Sequence, residues 1–275
     1  MKFQLKNIAI AMVAALALTS CNKDDDNEAI TGNGNLTVNF ENGFEDQGGI
    51  TIGTTFRKTT NNQYYNYSCL KYIVSNVVLI KADGTEVKYN YNDPNKGAFI
   101  IDQADGLIEH PAALTGIPAG DYTKIRFGIG ISPEAYNLGE NGQATFWDKA
   151  DKAGMIWTWA SGYRFVKLEG AYGETQATAT NIFAHHFANM GNILANGTPN
   201  LYKEVTLDLP TTAKVRTNVS PVVHIMADFA KHLDGDTKII LDETTSDAMS
   251  GSMQCVRDMV ANLTKMFTVE HVHND

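Results

Sequence analysis

Leu36, Val38 and Phe40 alternate with Thr37, Asn39 and Glu41, and that period of two recurs along much of the chain. Successive side chains of an extended backbone point to opposite faces, so the pattern describes strands with one face in a core and one in water. Leu201 to Leu209 repeats it, and Glu86 to Tyr91 returns from a hairpin turn at Ala82-Asp83-Gly84-Thr85. Val77 to Ile80 is instead a near-continuous apolar run, which fits a strand covered on both faces. Turn signals recur at a spacing of roughly 8–12 residues, the rhythm of a sandwich. The expected fold is mainly β: an antiparallel β-sandwich with long loops and one late C-terminal helix. Residues 132–154 read as one such loop, with Trp147 inside it, and residues 188–200 as another. In the helix, Val256, Met259, Val260, Leu263 and Phe267 follow the i, i+3, i+4, i+7 spacing, with Ser252 as cap.

The first residues are an address rather than part of the fold. Lys2 and Lys6 precede a short apolar run, Ile8 to Leu18, and Leu18-Thr19-Ser20-Cys21 reads as a lipobox. Residues 1–20 are therefore expected to be a lipoprotein signal peptide, with Cys21 the lipid-bearing first residue of the mature chain and a lipid anchor in the membrane. Residues 21–34 read as an acidic flexible tether, and residues 35–275 as a single β domain. The run Asn22-Lys23-Asp24-Asp25-Asp26-Asn27-Glu28 resembles the export signal of Bacteroidetes-type lipoproteins. That resemblance implies an outer-membrane lipoprotein displayed on the cell surface; otherwise the protein faces the periplasm. Loss of the signal removes two lysines and no acid, taking the net charge from −9 to −11. A surface so acidic repels phosphate backbones, so no nucleic-acid partner is expected.

The densest aromatic stretch runs from Met155 to Gly170 and holds Trp157 and Trp159, two of the three tryptophans. Period two puts those indoles on one face of a strand; a bend at Ser161-Gly162 leads into a second strand, where Tyr163, Phe165 and Lys167 share a face. Such rings either fill a core or line a site. Histidines mark the other candidates. His185 and His186 are adjacent and point to opposite faces, whereas His271 and His273 share a side if the terminus is extended. Two imidazoles on one face can chelate Zn or Cu, with Met155 or Met190 as extra thioether donors; the bland reading of His-Val-His is a polar tail. No role is assigned to His110, His224 or His232. Cys69 and Cys255 are either a disulfide or two buried thiols. The chain carries no phosphate loop, dinucleotide fingerprint, nucleophile elbow or zincin helix, so no enzyme activity is expected.

Several segments in order resemble the MbnP-like proteins: Leu70 to Val77, Gly120-Asp121-Tyr122 onward to Gly130, Met155 to Trp159 with Gly162 to Phe165, and Phe183-Ala184-His185-His186. Bacteroidetes lipoproteins of this type also end in a similar His-Val-His-Asn tail. The resemblance implies a β-sandwich that binds copper through histidines, a tryptophan oxidised to kynurenine by a di-haem peroxidase-like partner, and in some members calcium held by loop carboxylates. His186 matches the family's histidine, and Trp157 or Trp159 the modified residue. Asn42 stands where relatives carry a histidine, and Ala188 where they carry a glycine. The expected metal set is thus His186, His271 and His273, converging beside Trp157 and Trp159. The alternative is a metal-free adhesion module that stacks glycans on Trp147 and the tyrosine-rich segment 61–67.

Overall fold

The computed structural model describes residues 30–157, 162–188, 201–249, 251 and 253–275. In chain order its strands are β1 (Asn33–Phe44), β2 (Gly48–Gly49), β3 (Phe56–Lys58), β4 (Tyr64–Lys81), β5 (Glu86–Lys88), β6 (Phe99–Asp102), β7 (Glu109–Pro118) and β8 (Gly120–Ile129). They continue with β9 (Ile156–Trp157), β10 (Gly162–Gly173), β11 (Asn181–Ala188), β12 (Lys203–Val215), β13 (Val222–Asp228), β14 (Asp247–Ala248) and β15 (Phe267–His273). The α-helices are α1 (Pro94–Gly97), α2 (Pro133–Tyr136), α3 (Gly139–Gly142), α4 (Ala144–Lys152), α5 (Lys231–Asp234) and α6 (Gln254–Leu263).

Two sheets face each other. The smaller runs β15-β13-β1-β2, with β7 also on β1, and the larger runs β12-β8-β4-β10-β11-β14 with short strands on β4 and β10. The expected mainly β sandwich is therefore present. It is not purely antiparallel, because β1 lies parallel to β13, with Phe40 opposite Ile225. No hairpin joins these two, since the larger sheet is built between them in the sequence, so neither direction is imposed by a turn. Aromatic rings close the interior: Phe40 of the small sheet meets Phe127 of the large one edge-on at 5.4 Å, and Phe127 meets Phe267 at 5.1 Å. Such pairs add about 0.5–1.5 kcal/mol each beyond the area they bury.

β4 is the longest strand and the one most enclosed; Leu70 to Leu79 is apolar and buried at most positions. Within it Asn76 takes φ +53° at a register shift between Ser75 and Val78, a bulge that bends the strand where it passes β8. Asn tolerates that backbone better than most residues, and its amide bonds Asn92 and Tyr202.

Residues 132–154 are not a loop. Ser132 caps α2 through its hydroxyl, Pro133 supplies the preset φ of a first helical residue, and Phe146 and Ala150 bury one face of α4. The late helix spans α6 with Val256, Met259, Val260 and Leu263 buried as expected, but Phe267 belongs to β15. Met253 stands at its N-cap position, and Ser252 lies outside the described residues. The tether ends earlier than expected, because Asn33 and Gly34 already pair with Pro118 and Ile117. Cys21 and the signal segment lie outside the described residues.

Candidate metal centre

His186 is placed by the alternation of β11. Phe183, His185 and Phe187 point into the sandwich and are fully buried, so Ala184 and His186 point out of the large sheet. A second event brings the partner of His186 to the same side. β10 carries a bulge between Arg164 and Val166, which resets its phase. The expected shared face of Phe165 and Lys167 is broken there: Phe165 faces the core, while Lys167 and Glu169 face outward with His186.

The Glu169 carboxylate accepts a hydrogen bond from His186 Nε2 at 2.8 Å. Nδ1 therefore carries the lone pair, and it is buried with no hydrogen-bond partner among the described residues. Burial pushes the imidazole pKa down, with Glu169 opposing, so the neutral ring that a metal needs is favoured. Trp157 meets His186 edge-on at 5.5 Å, and both are more than nine-tenths buried. Arg164 lies over the indole at 4.3 Å from the ring centre and donates to the carbonyls of Gly154 and Ile156. Trp159 and Met190 lie outside the described residues.

His271 and His273 are elsewhere. They sit on β15 at the edge of the small sheet, exposed, and His186 belongs to neither of the two close groups of metal-type ligands among the described residues. The expected convergence of His186, His271 and His273 is therefore corrected: two sheets separate them, and alternation aims each set outward from its own sheet. What meets the terminal pair is His224, to which the sequence alone assigns no role. Its ring stacks on His271 at 4.3 Å and lies 5.3 Å from His273. The signal was available, since Val223 and Ile225 flank His224 as buried neighbours, but the pairing of β13 with β15 was not legible locally. The other close group is Glu41, Glu109 and His224, which draws its carboxylates from strands; the expectation of calcium held by loop carboxylates finds no such group among the described residues.

Asn42 points inward. It donates to Gln103 at 2.9 Å and accepts from Tyr72 at 2.9 Å, while Gln103 also accepts from His110. The amide network floors a cavity of about 500 Å³ rather than reaching His186. Ala188 is buried at the end of β11 opposite Arg164. Cys69 and Cys255 are both free thiols, and burial pushes the Cys69 thiol pKa up. Of the aromatics in the alternative reading, Tyr65 and Tyr67 are fully buried, Tyr64 is half-buried, and Trp147 packs half-buried against Tyr163 at 5.1 Å.

The sandwich and its outward-facing imidazoles define a β-sandwich protein with histidine-based sites suited to a transition metal. The model of the MbnP family matches residues 33–254. The chain belongs to the MbnP family, and that membership associates it with copper. A solved structure, MbnP from Methylosinus trichosporium, is similar at 14% identity and a TM-score of 0.45 over 74% of this chain and 79% of that one, too distant to carry an argument. No curated protein matched.

Proposed function

We propose that this protein is a cell-envelope lipoprotein, anchored through Cys21, that holds copper at His186 and catalyses no reaction of its own. The observation that carries the reading is the buried Nδ1 lone pair of His186, unpartnered among the described residues, on a ring whose other nitrogen is braced by Glu169. A carboxylate on the far nitrogen fixes the tautomer and strengthens the donor, which is how histidine ligands are usually supported. Neutral imidazole suits copper. Family membership supports the choice of metal.

Trp157, in edge contact with His186, is the residue placed to be oxidised to kynurenine, and a di-haem enzyme is the partner suited to that oxidation. Outer-membrane display, by way of the acidic run after Cys21, completes the proposal. Intact mass and metal analysis of protein from its own host tests it. Copper near one equivalent with lipidated Cys21 is expected, and His186→Ala should abolish retention at this site. Unchanged copper in that variant overturns the assignment.

A further inference from the structure

We propose that His224, His271 and His273 form a second metal site, which takes one borderline transition ion, Cu(II) or Zn(II), on the outer face of the small sheet. The ligands come from neighbouring antiparallel strands. Register puts His224 opposite His271 and Val222 opposite His273, with a bulge between His224 and Ile225. The three ring centres lie 4.3, 5.3 and 4.7 Å apart, and one nitrogen from each lies within 4.8 Å of the others. Bond lengths of about 2.0–2.1 Å in a tetrahedral site ask for a nitrogen separation of roughly 3.4 Å. Two of the three rings, His271 and His273, are exposed and have room for the side-chain rotation that closing this gap requires.

Three features separate this cluster from a polar tail. His224 is buried, and its Nδ1 donates to Glu41 at 2.8 Å, which leaves Nε2 as the outward donor. Neither His271 nor His273 makes a side-chain hydrogen bond or ion pair among the described residues, so their lone pairs are uncommitted. The terminus itself is tied down: Asn274 bonds Lys214 N at 2.7 Å and Thr212 O at 3.0 Å on β12, and Ser220 N bonds Asp275 O. Glu109 lies near Glu41, held by Asn39, and its charge adds to the attraction for a cation.

Two of the three ligands, His271 and His273, lie beyond the family's matched segment, which ends at residue 254, while His224 lies within it. Three imidazoles with an open fourth position and no thiolate are a donor set for Zn(II) and Cu(II) rather than for a hard cation.

The test is a titration of the metal-stripped full chain with Zn(II) and, separately, Cu(II), using Co(II) absorption to report geometry. Four proteins are compared: the native chain, His186→Ala, His271→Ala/His273→Ala and Glu41→Gln. The inference expects one equivalent that survives His186→Ala and disappears in the double variant, whose changes are on exposed rings. Glu41→Gln should weaken that equivalent by about 10–100-fold, an effect on affinity that a purely structural role would not produce. Equal uptake by the native chain and the double variant overturns the inference. Loss of all metal in His186→Ala alone leaves the proposed function standing without the second site, and the reverse pattern leaves the second site without that function.

Discussion

His185 and His186 are neighbours in the chain, yet they face opposite sides of the large sheet and share no partner. His186 bonds Glu169 outside, while His185 joins a wholly buried relay inside. The Thr245 carbonyl can only accept, so His185 Nε2 carries a proton. His185 Nδ1 then accepts from His232 Nε2 at 2.8 Å, and His232 Nδ1 accepts from the Tyr67 hydroxyl at 3.0 Å. Every nitrogen in the relay is satisfied with both rings neutral.

Breaking that relay should be costly. His232→Phe leaves His185 Nδ1 without a donor inside the core, at a cost of about 1–3 kcal/mol before any strain from repacking. Urea denaturation of the variant against the native chain measures it. A midpoint unchanged at constant slope would show that the relay contributes no stability.

The relay also sets a response to acid. Burial pushes His185 down to about 4 and His232 well below its ordinary value. In the unfolded chain both titrate near about 6.5. Between those values the unfolded chain binds more protons than the folded one, so stability declines as pH falls from about 6.5 toward 4. Denaturation midpoints at pH 7 and pH 5 should differ in that direction, and by less in His232→Phe. Equal midpoints in the native chain would count against neutral buried rings.

Arg164 is expected to brace Trp157 rather than merely cover it. Arg164→Met removes a cation–π contact worth about 0.5–2 kcal/mol and two bonds to carbonyls. A cation over an indole disfavours removal of an electron from the ring, so the variant should also oxidise faster at Trp157 under photosensitised conditions. Peptide mass mapping reads the rate; a slower or equal rate sinks the idea.

Asn42→His should destabilise the fold. The native amide is buried between Gln103 and the Tyr72 hydroxyl, and a wider ring would break both bonds. A loss of about 1–3 kcal/mol is expected in denaturant. An unperturbed midpoint would mean that the network is not tightly packed.

Much of the architecture was legible locally. The alternation of Leu36, Val38 and Phe40 appears as burial of the same residues, and Val256, Met259, Val260 and Leu263 line the buried side of α6. Helices α2 to α4 are obscured in the sequence because Asn137, Gly139, Asn141, Gly142 and Gly154 punctuate residues 132–154 as turn residues do, although Ser132-Pro133 and the Phe146/Ala150 spacing carry the helical signal. Tyr65 and Tyr67 are core residues that the sequence leaves open to a surface role, because it does not show which side of a strand meets a second sheet.

The opposite facing of His185 and His186 and the shared side of His271 and His273 follow from chain alternation, because a strand repeats every two residues whatever surrounds it. The meeting of His224 with His271, the bulge that turns Glu169 toward His186, and the separation of the two imidazole sets do not. Those depend on which distant strands pair and in what register, and register is decided by the joint packing of both sheets rather than by any local stretch.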